Sequence, residues 1–401
     1  MTDTTVHARP PLAMVLMLGA LTAFGAVSID LYLPGLPSVA TSLGATAAQA
    51  QLTVAAFFVG LSVGQLFYGP LSDRVGRRGP LLAGIALYTA ASVGCAMAPD
   101  IHTLIALRVV QALGGCSGGV LARAIVRDRF PPQQTAQVFS TLMLVMGLAP
   151  ILAPMLGSVL LTIGTWRTTF WLLTGFGAIC WVASFFYLKE SRSEAVAAHA
   201  RTESPFGAYL ALLKQRRLVG YVIYSACSSA ALLTYVATSP DLLIGIYHVP
   251  VPAFAWVFGI NGVGLIASSQ INARLLRFHS YDRILVWANV AAITSAGLFV
   301  LAAFTGLGGL IGILIPLFLI MSCFGFNVAN AMAGAMSVDP KRGGSTAGLS
   351  GAVQFAAGSI ASSLAGLFHD GTARPTALVI LGSLLLAAAA LHCLARPPPQ
   401  V

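Results

Sequence analysis

The sequence predicts an all-α, polytopic membrane protein with twelve transmembrane helices arranged as two six-helix halves. Of its 401 residues, 57% are hydrophobic and only 8% are charged, whereas a soluble domain has about 25% charged residues. Apolar stretches close to the roughly 20 residues that span a bilayer recur along nearly the whole chain. Lipid, rather than water, is therefore the expected surrounding of most of this chain.

Apolar runs, separated by turn residues and charges, mark the individual spans. The first run is too long for the core of a signal peptide and is not followed by a small-residue cleavage pattern, so we expect it to remain as a span. Residues 189–216 are interpreted as a cytoplasmic linker between an N-terminal half, 1–188, and a C-terminal half, 217–401. The expected spans cover 12–33, 48–71, 80–98, 102–125, 135–160, 167–188, 217–240, 251–272, 283–304, 308–333, 344–367 and 373–394.

The net charge of +10 is explained by membrane topology rather than by nucleic-acid binding, because the basic residues lie in short connections between spans. Placing both termini in the cytoplasm puts 19 of the 22 Lys and Arg residues inside and leaves only Arg108, Arg167 and Arg374 elsewhere. This asymmetry follows the positive-inside rule. We therefore expect a multi-pass inner-membrane protein of a bacterium, and the six-plus-six layout is typical of transporters.

The connection between the second and third spans carries a charged and glycine-rich motif, Gly-Pro-Leu-Ser-Asp-Arg-Val-Gly-Arg-Arg. The glycines permit a tight turn, and the aspartate can pair with arginines or with a charge on a neighbouring helix. Such pairs would close one side of the bundle and break during a transport cycle. The alternative role, a topology anchor, accounts for the arginines only. The expected gating residues are Gly69, Asp73, Arg74, Gly76, Arg77 and Arg78.

Two charged residues fall inside apolar runs, Asp30 in the first span and Arg108 in the fourth. A charge within a span is costly and is by default a functional hypothesis. Because the two spans run in opposite directions, both residues are expected at a similar depth, where they are candidate partners for reversible proton binding. The alternatives are that Asp30 caps a helix that ends near residue 33 and that Arg108 snorkels to the membrane surface.

The fifth span contains two prolines four residues apart, flanked by glycines. Proline kinks or locally unwinds a helix, while glycine lets a neighbouring helix approach closely. The segment resembles a signature associated with antiporters, and this resemblance implies export rather than uptake. The residues of this antiporter motif are Gly147, Pro150, Pro154 and Gly157.

Aromatic and amide residues within the spans are candidates for a central cavity between the halves. Aromatic faces suit flat apolar ligands, and amides orient a ligand without demanding one charge. Each residue taken alone also fits a packing or lipid-facing role. The candidate substrate-binding residues are Tyr32, Phe57, Phe58, Gln111, Tyr221, Tyr224, Tyr235, Asn261, Asn327 and Asn330.

Together these motifs resemble the major facilitator superfamily and, within it, the bicyclomycin-resistance (Bcr/CflA) drug:proton antiporters. Ala112, Ala153 and Ser158 stand where the motifs usually have glycine, and the connection after the eighth span lacks the full acidic and glycine pattern. The resemblance implies alternating-access export driven by the proton gradient, without a cofactor. Implied partners are the bilayer, protons and small drugs such as bicyclomycin or chloramphenicol-type antibiotics, and we expect a monomer.

Other classes of protein find little support in the sequence. No lysine precedes Ser or Thr as a phosphate-binding loop requires, and no two cysteines have metal-site spacing, so we expect no catalytic or metal site. The formal match of residues 115–119 to a nucleophile elbow lies in an apolar span, where that strand-to-helix motif has no place. The remaining alternatives are a proton-coupled uptake carrier for a small anionic metabolite and, from another class, a membrane-embedded enzyme or sensor.

Overall fold

A computed structural model describes residues 12–194 and 204–395, and these ranges contain helices and turns without any β-strand. The helices reproduce the predicted spans, mostly to within a few residues, which confirms the all-α, polytopic fold class. They are α1 (Leu12–Asp30), α2 (Leu36–Ser42), α3 (Ala47–Val75), α4 (Arg78–Met97), α5 (Ile101–Arg129), α6 (Pro132–Ile163), α7 (Trp166–Tyr187), α8 (Pro205–Leu213), α9 (Arg216–Pro240), α10 (Val251–Leu275), α11 (Tyr281–Thr305), α12 (Gly309–Val338), α13 (Gly343–Leu367) and α14 (Arg374–Ala390).

Eleven segments of the described chain are long and apolar enough to cross a membrane. The remaining predicted span, 344–367, forms α13, whose 25 residues extend about 37 Å at 1.5 Å per residue. Its many glycines and serines lower its hydropathy. These small residues suit its position, because α13 packs tightly against both α9 and α3, and close helix packing in membranes depends on small side chains.

Local sequence signals account for several helix ends. Thr46 begins α3 with a capping box, in which its hydroxyl accepts the backbone N–H of Gln49 and the Gln49 side chain accepts the N–H of Thr46. Asp100 caps α5 by accepting the N–H of Thr103 at 2.9 Å. α3 ends at Gly76, whose φ of 104° is a conformation that favours glycine.

The first span is longer than predicted. After α1 ends at Asp30, the chain continues through a 3₁₀ turn, Leu33–Gly35, into α2, so the span covers the 31 residues Leu12–Ser42. Prolines occupy the first turns of both following segments. The backbone N–H groups of a first turn make no helical hydrogen bonds, so proline, which has no N–H, is tolerated there. The predicted end at residue 33 is therefore wrong, and Asp30 lies inside the span rather than near its end.

Two helix pairs join the first six spans to the last six: α3 packs along α13, and α6 packs along α10. On the first seam, Ser62 donates a hydrogen bond to the carbonyl of Ala352 at 2.8 Å. Ser359 donates in the opposite direction to the carbonyl of Ala55 at 2.9 Å. These reciprocal bonds hold α3 and α13 together over several turns.

The predicted linker contains a short helix, α8, and residues 195–203 of it lie outside the described ranges. The Tyr209 hydroxyl of α8 donates to the carbonyl of Leu66 in α3 at 3.4 Å, so the linker helix lies against the first six spans. The division of the chain into two halves stays a prediction.

Candidate functional site

Arg108 of α5 lies inside a group of aromatic rings and is fully buried, with 0% exposure. Its guanidinium carbon is 4.2 Å from the ring centroid of Phe57, 4.9 Å from that of Tyr32 and 5.7 Å from that of Phe170. These distances are those of cation–π contacts. We call these three rings the aromatic box. In this structure the guanidinium is enclosed by the box and does not reach the membrane surface.

A hydrogen-bond network orients the arginine. Its Nη1 donates to the carbonyl of Ser28 at 3.2 Å and to Oε1 of Gln111 at 2.7 Å. The Gln111 amide donates in turn to the hydroxyl of Ser92 at 2.7 Å. The hydroxyls of Ser28 and Tyr88 share a hydrogen bond of 2.7 Å. Since both ends of Gln111 are engaged, its oxygen is fixed toward Arg108. The Nε and Nη2 atoms of Arg108 have no hydrogen-bond partner among the described residues.

Asp30 is buried, with 6% exposure, two residues beyond the carbonyl that contacts Arg108. Asp30 therefore lies only about 3 Å further along the chain than Ser28, at 1.5 Å per helical residue, and at a depth similar to that of Arg108. Their charged groups form no ion pair within residues 12–194 and 204–395, so the predicted direct pairing is not present in this conformation. Asp30 is itself the last residue of α1, and the two helical segments that follow have no side-chain cap.

Two predicted binding residues of the first six spans have further partners around the aromatic box. The Tyr32 hydroxyl shares a 2.9 Å hydrogen bond with the hydroxyl of Thr53, which ties the segment after α1 to α3. The ring of Phe58 stacks on that of Phe355 in α13, with centroids 6.3 Å apart. Both predicted residues are fully buried, and Phe58 lies in the seam between α3 and α13.

The predicted residues of the last six spans mainly hydrogen-bond to one another. Their pairs join α9, α10 and α12, and every member is buried. Polar side chains bridging helices in this way hold a membrane bundle together, so a packing role accounts for them in this conformation. The pairs are Tyr224 with Asn327 at 2.7 Å, Tyr235 with Asn261 at 2.5 Å, and Asn330 with Asn272 at 2.7 Å.

Tyr221 stands apart from the other predicted binding residues. Its hydroxyl donates to Asp282 at 2.5 Å and accepts a bond from Arg217 at 3.2 Å. These partners lie at the starts of α11 and α9, beside the linker. Its ring belongs to a smaller apolar cluster that also contains Tyr224 and Leu212 of α8, whereas Tyr32, Phe57 and Phe58 belong to the main core. The structure therefore does not bring Tyr221 to the aromatic box.

The predicted gating loop is mostly helical. α3 continues to Val75 and α4 begins at Arg78, so Gly69, Asp73 and Arg74 lie on the last turns of α3. Only Gly76 and Arg77 lie between the helices. The description of the whole motif as a loop is therefore wrong, because the charged residues continue the helix until a left-handed glycine ends it.

Arg77 is the centre of the ion pairs in this motif and is only 3% exposed. It pairs with Asp73 at 2.5 Å and with Asp128, at the end of α5, at 2.8 Å. It also donates to the Ser72 hydroxyl at 2.7 Å. The prediction that Asp73 pairs with an arginine of the motif is confirmed. We call Asp73, Arg77, Asp128 and Glu190 the latch cluster.

Glu190, just after α7, completes the latch cluster through the backbone. Its carboxylate accepts the N–H groups of Arg77 at 2.9 Å and Arg78 at 3.1 Å, where α4 begins and anions are favoured. Burial acts to raise the pKa of Glu190, but four backbone N–H donors outweigh it and hold the pKa below its usual range. Arg192 donates to the carbonyls of Asp73 and Arg74.

The antiporter motif of α6 faces two neighbouring helices. A Cβ atom at Gly147 would lie 3.3 Å from the Ile266 side chain of α10, and Pro150 lies against Gly262 of the same helix. Gly157 packs directly on the backbone of Leu31, next to Asp30. Pro154 lies within α6 without breaking it. The motif thus lets α6 approach both α10 and the end of α1.

A separate, open pocket of about 500 Å³ lies at the end of the bundle opposite the latch cluster. None of the predicted substrate-binding residues lines it, and its wall combines the segment after α1, the α6–α7 connection and the start of α10. Its lining includes Pro34, Ser38, Leu161, Trp166, Arg167 and Val251.

Several residues of the site were missed by the sequence analysis. Ser28 and Ser92 contact the arginine network, and Phe170 completes the aromatic box, but nothing in their local sequence separates them from other small or apolar residues of a span. The positions of Asp128 and Glu190 near the arginines of the motif were predictable, because each carboxylate lies at the end of a span that returns to the arginine-rich side.

The fold and this charged interior define a multi-pass membrane transporter. The profile of the Major Facilitator Superfamily matches residues 16–362. The chain therefore belongs to the major facilitator superfamily, and the resemblance of its motifs to the bicyclomycin-resistance family is confirmed by its relatives.

Three of these relatives cover most of the chain. An uncharacterized MFS-type transporter, YdgK, of Bacillus subtilis (strain 168) is 34% identical over 93% of this chain and 94% of its own length. A bicyclomycin resistance protein homolog of Haemophilus influenzae is 30% identical over 90% of each chain. The multidrug resistance protein MdtL of Escherichia coli (strain K12 / DH10B) is 30% identical over 80% of this chain and 79% of its own.

Solved structures share the fold at low identity. A crystal structure of a D-xylose-proton symporter superposes with a TM-score of 0.73 at 14% identity and covers 96% of this chain and 97% of the symporter. A likeness at this identity shows the architecture alone.

Proposed function

We propose that this protein exports small amphipathic drugs across the bacterial inner membrane in exchange for protons, by alternating access. The observation that carries the proposal is the buried charged interior: Asp30 and Arg108 are both buried inside the bundle, and the aromatic box encloses Arg108. Charges in that position mark ion and substrate pathways in membrane proteins. The names of the relatives, bicyclomycin resistance and multidrug resistance, support drugs as the cargo.

In this proposal, residues 1–188 and 217–401 rock against each other as two halves, with both termini in the cytoplasm. The seams between α3 and α13 and between α6 and α10 are the surfaces that separate. The latch cluster supports closure on one side, because a buried arginine with two carboxylate partners favours one fixed arrangement of α3 and α5. The protein acts as a monomer and needs no cofactor besides the proton gradient.

A drug-susceptibility panel in an efflux-deficient bacterial host tests this proposal. Expression of the protein should raise the inhibitory concentration of bicyclomycin, chloramphenicol or another amphipathic drug, and a protonophore should abolish the protection. Resistance that survives the protonophore would refute proton coupling. Transport into rather than out of the cytoplasm, measured in inverted vesicles, would favour the uptake carrier instead.

A further inference from the structure

The aromatic box encloses an arginine whose hydrogen bonding is incomplete. Nη1 of Arg108 is engaged by Ser28 and Gln111, while Nε and Nη2 are buried without a partner in the described parts of the chain. Buried donors of this kind are normally satisfied. Nε and Nη2 are adjacent donors on one edge of the guanidinium, and that edge matches the two oxygens of a carboxylate.

The charge of the site is also uncompensated. No carboxylate of residues 12–194 or 204–395 lies at ion-pair distance from Arg108, and Asp30 stays unpaired with it. A buried cation without a counter-ion is strongly unfavourable. An anionic ligand supplies the missing charge, whereas a cationic ligand of the same shape adds to the repulsion.

The walls of the site are apolar and flat. The rings of Phe57, Tyr32 and Phe170 lie within 5.7 Å of the guanidinium carbon, and aromatic surfaces favour planar aromatic ligands. Gln111 is held at both ends, so the free edge of Arg108 is already oriented before a ligand arrives. Such preorganisation lowers the entropic cost of binding.

We propose that Arg108 binds the carboxylate of an amphipathic aryl carboxylate through Nε and Nη2, with the aryl group beside the rings of the aromatic box. The proposal rests on the proposed export function, because it names a class of cargo for the same site. The box is covered in the present conformation, and the ligand enters when the bundle opens. Aryl carboxylates are therefore bound in preference to neutral or cationic compounds of equal shape.

Isothermal titration calorimetry on the full-length protein in lipid nanodiscs tests this with three matched probes: 4-butylbenzoate, 4-butylbenzamide and 4-butylbenzylammonium. Empty nanodiscs provide the background for partitioning into lipid. We expect the benzoate to bind with a Kd at least about tenfold below those of the amide and the ammonium. Equal affinities for the three probes in the wild-type protein overturn the proposal without any variant.

Two substitutions on α5 locate the effect. Arg108→Lys keeps the positive charge but removes the planar fork, so the preference for benzoate over benzamide should fall about tenfold. Arg123→Lys, on the same helix and away from the box, should leave the preference unchanged. An undiminished preference in Arg108→Lys refutes the assigned atoms.

Binding and export fail in different ways. If the wild-type protein exports a neutral drug but does not prefer benzoate, only the proposed carboxylate site is refuted. If it prefers benzoate but exports none of the drugs in the susceptibility panel, the carboxylate site is supported and the proposed export is refuted.

Discussion

Gly157 is the position at which one added methyl group should disturb Asp30 most directly. A Cβ atom there would lie 3.1 Å from the carbonyl carbon of Leu31 and closer still to its oxygen. Because the obstructing atoms belong to the backbone of Leu31, the chain at the end of α1 must move. Overpacking of this kind costs about 1–3 kcal/mol, and the gain from replacing glycine in a helix offsets about 0.5–1 kcal/mol. We therefore expect Gly157→Ala to destabilise this conformation by about 0.5–2 kcal/mol.

A matched control exists on α7, where a Cβ atom at Gly175 meets nothing within 4 Å. Gly175→Ala should keep or slightly raise the Tm of the detergent-solubilised protein, whereas Gly157→Ala should lower it. In de-energised, drug-loaded cells given glucose, the initial efflux rate of Gly157→Ala should fall about fivefold, as a cost of about 1 kcal/mol implies. Equal Tm and equal efflux for the two variants would refute the role of close packing at Gly157 in holding the end of α1, where Asp30 lies.

The latch cluster gives two further predictions. Asp128→Asn should lower the Tm and slow efflux, because the buried Arg77 loses a counter-ion. The control Asp370→Asn, at an exposed position, should change neither quantity. An Asp128→Asn protein with unchanged Tm and efflux would contradict the role of the latch cluster. The pKa of Glu190 is lower in the folded protein than its ordinary value of 4.5. Ionised Glu190 therefore stabilises the fold at pH values above 4.5, and this stabilisation is lost as the pH falls through the folded pKa. The Tm of the wild type should therefore drop more on acidification than that of Glu190→Gln, and parallel pH profiles would contradict this role.

The positions of the spans were predictable because hydrophobic length and charge asymmetry are properties of the chain itself. Even α13, which is rich in glycine and serine, was predictable as an apolar run bounded by turn residues and charges. The end of the first span was not predictable in this way. Pro34 and Pro37 are compatible with a helix that stops and with one that is prolonged. Each lies in a first helical turn, and only the path of the whole segment shows that the span continues to Ser42.

The candidate site was predictable in its charges and not in its contacts. Asp30 and Arg108 were identified because ions are rare in apolar runs, and Gln111 by its motif. Phe170 joined the box only through folding, since its position depends on how α7 packs against α4 and α1. The contacts of Tyr221 were not predictable either: it lies one helical turn from Tyr224 on α9, but its hydroxyl donates to Asp282 at the end of the bundle.

The aromatic box also shows why residue type alone does not define a cavity. All ten predicted binding residues are buried, yet in this conformation the amides pair with other helices and the pocket at the far end uses different residues. Which of the ten contact cargo depends on the open states of the bundle.

The most direct test of the account is drug movement in proteoliposomes under an imposed pH gradient, with the wild type compared with Asp30→Asn and the exposed control Asp370→Asn. Proton exchange through Asp30 requires that the wild type and the control accumulate the drug against its gradient and that a protonophore abolishes this accumulation. Asp30→Asn should show no accumulation although it reconstitutes equally well. Undiminished accumulation by Asp30→Asn, or accumulation by the wild type that ignores the pH gradient, would contradict it.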